Sequence, residues 1–226
     1  MTSSDASSKR NVWVWAVPAV LIVLIGVGVF FATRPSATPA AASPASATST
    51  GAIPVGSGPV KVDVYEDFQC PACGTFEKTY GSALQKLAAE NKATVNYHMM
   101  SFLGPESDRA AAAAGCAADA GQFEAFHNYL YAHQPVEHTD GYTTADLVAA
   151  GDALGLGQSF TDCVNAGTYA VWTSTVDTDA ARAGVSGTPS FALNGTLLDT
   201  KNKSFNDVFA EIEKAANTSP SPSPSK

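Results

Sequence analysis

Apolar and polar residues alternate through Val60, Lys61, Val62, Asp63 and Val64, the period of a strand with one buried face. Ala93, Val95, Tyr97 and Met99 repeat that period and predict a second strand. Between them Phe76, Tyr80, Leu84, Leu87 and Ala88 fall at helical spacing. That helix begins at Cys70-Pro71, since proline suits a first turn, and Gly81 is placed to bend it. Ser107 to Ala120 is an alanine-rich helical stretch, and Phe123 to His133 is an aromatic-rich one that stops at Pro135. Thr144 is the expected cap of a segment carrying Leu147, Val148 and Leu154, and Ser159 the cap of one carrying Phe160, Cys163 and Val164. A longer helix is expected over Thr168 to Ala183. Ser190 to Leu193 reads as a strand that turns at Asn194-Gly195, a hairpin signal, and returns over Thr196 to Asp199. Ser204 caps a last helix with Phe205, Val208, Phe209 and Ile212 on one face.

The order is therefore strand, helix, strand, a long helical stretch, hairpin, helix. A strand–helix–strand unit implies parallel pairing. The helical stretch, about residues 104–184, exceeds what one crossover needs, so it predicts an α/β fold with an inserted helical subdomain.

The first quarter of the chain follows a different pattern. Val12 to Ala32 carries no charge and has no polar face. A helix of that length rises about 31 Å, the thickness of a bilayer core. The rival reading, a cleaved signal peptide, has a shorter apolar core of about 7–15 residues, although small-residue sites such as Ala45-Ser46-Ala47 follow. Lys9 and Arg10 before the span, against Arg34 after it, favour the N-terminus inside and the body outside. The expected organisation is a cytoplasmic segment 1–11, a transmembrane anchor 12–32, a flexible Pro/Ala/Ser/Thr spacer 33–58, one domain over 59–217 and a disordered Ser-Pro tail 218–226.

Composition narrows the function by exclusion. With 13 basic and 21 acidic residues the net charge is −8, which argues against a nucleic-acid binder. Four cysteines in 226 residues are too few for a disulfide-dense scaffold and are not at zinc-ribbon spacing. The four histidines show no metal-ligand spacing with the cysteines, so neither a metal nor a cofactor is expected; His98 reads as a structural strand residue, and His127 and His133 diverge on their helix.

The candidate chemistry is Cys70-Pro71-Ala72-Cys73. Two cysteines three apart at a helix start lie close enough to bridge. Cys70, in the first turn, is the expected exposed thiol, its thiolate stabilised by free amides and the positive helix end. Cys73, one turn on, is the shielded resolving thiol. A stabilised thiolate is a good leaving group, so a disulfide here is easily reduced and oxidises other thiols. Half of a metal site, or a structural bridge, is the competing reading of the same spacing.

Asp67-Phe68-Gln69-Cys70-Pro71-Ala72-Cys73, with Gly184-Val185-Ser186-Gly187-Thr188-Pro189-Ser190-Phe191 and Asn194-Gly195 far downstream, resembles the DsbA-like thiol–disulfide oxidoreductases of the thioredoxin superfamily. Phe126-His127-Asn128-Tyr129-Leu130-Tyr131-Ala132-His133-Gln134 is similar to a segment of that family's helical insert. The resemblance implies a thioredoxin-like fold, catalytic Cys70 and Cys73, and a cis Thr188-Pro189 bond that holds extended substrate against the catalytic cysteine. Pro71, Ala72, Glu66 and Asp67 are the implied active-site support. In one departure, Val64 stands where the family carries a buried acid, leaving Glu66 and Asp67 as candidates for its task. Some relatives also carry a structural disulfide in the insert. Cys116 and Cys163 are the candidates here, against the alternative of two buried, unpaired cysteines.

The expected function is a membrane-anchored protein-disulfide oxidoreductase, an oxidase acting on reduced exported proteins, monomeric, on the extracytoplasmic side of the cell membrane. Its reoxidant would be a quinone-linked membrane oxidoreductase. A reductase or isomerase of the same fold is the near alternative, and an extracytoplasmic copper-binding protein the distant one.

Overall fold

The computed structural model describes residues 42–219. The anchor expected over 12–32, the segment 1–11, the first part of the spacer and nearly all of the tail lie outside these residues. Among the described residues no helix is long and apolar enough to cross a membrane.

Five strands form one sheet in the order β1-β3-β2-β4-β5. They are β1 (Ile53–Val55), β2 (Val60–Glu66), β3 (Ala93–Met99), β4 (Ser190–Leu193) and β5 (Thr196–Leu197). β2 and β3 pair in parallel, Val62 opposite Val95 and Glu66 opposite Met99, as a strand–helix–strand unit requires. β4 pairs antiparallel with β2, placing Phe191 opposite Val64. Asn194 and Gly195 both have positive φ, 50° and 82°, the backbone of a tight two-residue hairpin turn, and the return strand is only two residues long.

The connection from β2 to β3 is α1 (Pro71–Phe76), a π-helical turn (Glu77–Gly81) and α2 (Ser82–Ala89). The expected bend at Gly81 is thus a local change of helical winding. Five helices follow β3, namely α3 (Pro105–Asp119), α4 (Phe123–Ala132), α5 (Thr144–Leu154), α6 (Gln158–Ala166) and α7 (Ala170–Arg182). α8 (Phe205–Thr218) closes the domain behind a Ser204–Asp207 capping box. Two caps differ from expectation. Thr143, not Thr144, caps α5, because its hydroxyl accepts from the Asp146 backbone while the Asp146 carboxylate accepts from the Thr143 N–H. Gly157 precedes α6, so Ser159 is already inside the helix.

The spacer also ends sooner than residue 58. Ile53 to Val55 is a strand that pairs antiparallel with Val95 to Tyr97. Upstream, the Ala45 N–H donates to Asp119 Oδ1 at 2.8 Å, and Gly51 (φ 76°) packs on Trp172 and Val176. Small residues there allow close approach to the helices; they do not mark freedom from them.

Aromatic side chains join the dithiol helix to the core. Phe76, fully buried, meets Phe191 and Phe205 at centroid distances of 4.5 and 5.7 Å, tying α1 to β4 and α8. Burying such a side chain contributes roughly 1.5–3 kcal/mol, which anchors the dithiol helix to the sheet.

Candidate active site

β2 delivers the chain to the site. Val60, Val62 and Val64 are buried, and the strand ends on Glu66, also fully buried. The turn that follows buries Asp67, Phe68 and Gln69 as well. The Cys70 N–H donates to the Asp67 carbonyl at 2.9 Å, which brings Cys70 to the cap of α1 with Pro71 as first helical residue.

Cys70 is 7% exposed and Cys73 0%. The nucleophile candidate is therefore more covered than its place in the first turn suggests, and its sulfur lies 3.5 Å from the Thr188 carbonyl oxygen. That carbonyl belongs to the Thr188-Pro189 peptide, which is cis and precedes β4. Both thiols are free. A hydrogen bond from the Cys73 thiol, opposed by burial and aided by Thr188 and the Cys73 and Ala72 amides, brings Cys70 down from an ordinary 9.0 to about 6. Cys73 moves the other way, pushed up by burial, by its bond to Cys70 and by the Glu66 charge. One environment thus favours the thiolate at Cys70 and the thiol at Cys73.

Glu66 and Asp67 are both fully buried and occupy different networks. Asp67 Oδ1 accepts from Ser107 Oγ at 2.6 Å and from the Gln69 N–H at 2.9 Å. Burial pushes its carboxyl up to about 6 against those bonds. Glu66 Oε1 instead meets His127 Nε2 at 2.5 Å. Burial alone would lower His127, but the Glu66 and Glu77 carboxyls beside it win and raise it. The His127 ring is walled by Phe68, Tyr97, Phe123 and Tyr131 at centroid distances of 4.9–5.8 Å.

Glu77 completes this cluster. Donor atoms of Glu66, Glu77 and His127 lie within 4.8 Å of one another. Burial and then the Glu66 charge push the Glu77 carboxyl up. It fits because position 81 is glycine, where a Cβ would stand 2.3 Å from Glu77 Oε2. An open hollow of about 260 Å³ lined by Glu77, Lys78, Gly81, Ser82, Asn128, Tyr131 and Ala132 connects this side to solvent. The site thus includes His127 and Glu77, which sequence spacing did not single out. Only the similarity of the Phe126–Gln134 segment pointed at that part of the insert.

Cys116 on α3 and Cys163 on α6 are joined by a disulfide, with Cα atoms 5.9 Å apart. The bridge ties two helices of the insert. His98, buried, bonds Asp63 at 3.1 Å and stacks on Tyr65.

Residues 54–214 match the family described as Thioredoxin. Among solved structures, the reduced DsbA of Mycobacterium tuberculosis is 30% identical, with a TM-score of 0.63 over 75% of this chain and 94% of that one. The reduced disulfide bond oxidoreductase DsbG of the same organism is 30% identical, with a TM-score of 0.62 over 77% and 88%. The serine/threonine-protein kinase PknE of M. tuberculosis is 28% identical over 156 residues, 62% of this chain. The chain spans 27% of the length of that kinase. A parallel strand–helix–strand unit with free cysteines at its helix start, a cis proline against the first sulfur and this similarity all coincide in one segment; the chain belongs to the thioredoxin family, among the DsbA-like thiol–disulfide oxidoreductases.

Proposed function

We propose that the protein is an extracytoplasmic dithiol oxidase that introduces disulfides into reduced exported proteins through Cys70 and Cys73. The observation that carries this reading is the placement of the two thiols, Cys70 at the cap of α1 with its sulfur 3.5 Å from the carbonyl of the cis Thr188-Pro189 peptide and Cys73 fully buried behind it, which lowers the first thiol and raises the second. A thiolate held that well is a good leaving group, so the Cys70–Cys73 disulfide gives up its oxidising equivalents readily. A substrate thiolate attacks the Cys70 sulfur, the Cys70–Cys73 bond breaks, and Cys73 leaves and takes a proton. A second substrate thiolate then attacks the substrate sulfur of the mixed disulfide, releasing an oxidised substrate and the Cys70 thiolate. In this reading the Thr188-Pro189 backbone holds extended substrate chain beside Cys70, and Glu66, whose charge acts on Cys73, serves where the family's buried acid does.

The location follows from two supports. The apolar span 12–32 has two basic residues, Lys9 and Arg10, before it and one, Arg34, after it, a bias toward the N-terminus inside. A disulfide such as Cys116–Cys163 persists in an oxidising compartment. The reading is of a single-pass anchor, a monomer, and reoxidation by a quinone-linked membrane partner. The closest rival is a reductase or isomerase, since the same dithiol runs either way and only its potential decides. Equilibration with glutathione, read by thiol alkylation, tests this. A potential near ~−120 mV supports the oxidase and one near ~−270 mV replaces it with a reductase.

A further inference from the structure

Gln134 stands two residues beyond α4, at the start of the loop to α5, and reaches back to the dithiol segment. Its Nε2 donates to the Phe68 carbonyl at 2.8 Å and to the Cys70 carbonyl at 2.9 Å. Two carbonyl acceptors on one side fix the orientation of the amide, because the flipped form would set oxygen against two oxygens. Its Oε1 packs over α1 at Gly74, where a Cβ would lie only 2.1 Å away, so residue 74 leaves the space that the amide fills. The same loop holds the residue between those carbonyls. The His138 N–H donates to Gln69 Oε1 at 3.0 Å. Phe68, Gln69 and Cys70 are thus each gripped from the helical insertion.

Cys70 is the cap of α1 (φ −69°, ψ 116°) and has no side-chain bond to the helix start. Its sulfur instead lies 3.5 Å from the Thr188 carbonyl oxygen, at a place set by the Phe68–Cys70 backbone that carries it. The Cys70 carbonyl accepts both the first helical bond, from the Gly74 N–H at 3.1 Å, and the Gln134 amide. We propose that Gln134 is a positioning residue for Cys70, fixing the Phe68–Cys70 backbone so that the sulfur, and the thiolate it forms, is held at the first turn of α1 beside the Thr188-Pro189 peptide. The helical insertion then tunes the redox pair through one side chain. This rests on Cys70 being the reactive thiol.

Two substitutions in the full chain test it from opposite sides. Gln134→Leu removes both donors at similar size. Gly74→Ala keeps Gln134 but displaces its amide. The readouts are the pH midpoint of Cys70 alkylation and the equilibrium constant with glutathione. Both variants should raise the midpoint by about one unit, a tenfold loss of thiolate below it. Both should shift the equilibrium about tenfold toward the disulfide, about 30 mV. If each variant melts lower but keeps the wild-type midpoint, Gln134 is a packing residue only and the proposal is overturned. If one variant fails to fold, the other decides alone. A wild-type pair that does not exchange with glutathione would sink the oxidoreductase reading instead, while the alkylation midpoint still reports on Gln134.

Discussion

The lowered Cys70 thiol makes the stability of the two redox forms diverge with pH. The perturbation is a change from pH 6 to pH 8 on the dithiol and disulfide forms of the same chain. A thiol whose midpoint falls from 9.0 unfolded to about 6 folded stabilises the native dithiol above the folded midpoint and loses that contribution as pH falls through it. Linkage gives about 0.4 kcal/mol at pH 6 and about 2.7 kcal/mol at pH 8. Cys70 is in partial contact with solvent, so screening reduces the difference by roughly half, to about 1 kcal/mol. Cys73 stays protonated throughout this range, since its midpoint is pushed above the ordinary value. Asp67 and His127 titrate nearby but are present in both forms, so they cancel to first order in the difference. The disulfide form has no Cys70 charge to stabilise. Urea melts of both forms at pH 6, 7 and 8 read the effect, in a Cys116→Ala/Cys163→Ala background so that the second bridge is not reduced alongside. The dithiol should gain about 1 kcal/mol on the disulfide across the range. A flat difference, or a disulfide form that gains with pH, would refute a thiolate stabilised by the fold and with it the basis for an oxidase.

Replacing Cys116 and Cys163 by alanine should lower stability by about 2–4 kcal/mol, because a loop of sequence separation 47 is released, while turnover of a reduced substrate protein stays near wild type; turnover lost without unfolding would give the bridge a redox role. Cys73→Ser should trap a Cys70–substrate mixed disulfide visible on non-reducing gels, and Cys70→Ser should trap none; equal trapping by both would reverse their roles. His127→Ala should cost about 3–5 kcal/mol, since it leaves Glu66 buried without its partner, and denaturant melts check this against His133→Ala, whose exposed ring should matter little. Gly81→Ala should destabilise by about 1–3 kcal/mol through the clash with Glu77 Oε2, and Glu77→Ala added to it should relieve most of the cost, as a double-mutant cycle would show.

Much of this protein is written in short-range pattern. Val60, Val62 and Val64 must share one face because a strand repeats every two residues, Cys70-Pro71 starts a helix because proline needs no N–H there, and Asn194-Gly195 turns because both residues accept positive φ. Residue order also placed a helical insertion between β3 and β4, since a parallel crossover needs far fewer residues. Other features depend on where distant segments meet. Alternation says that neighbours face opposite ways, yet Glu66 and Asp67 are both buried, because β2 ends at Glu66 and the turn carries Asp67 inward to Ser107, 40 residues on. Helical spacing separates His127 from the cysteines, and it enters the site only because α4 packs its aromatic face against β3 and the end of β2. The stretch before Val60 looks like a spacer by composition, but Ile53 to Val55 becomes a strand once β3 offers it a free edge. The grip of Gln134 on Phe68 and Cys70 is likewise settled by packing, since it depends on a partner more than 60 residues away.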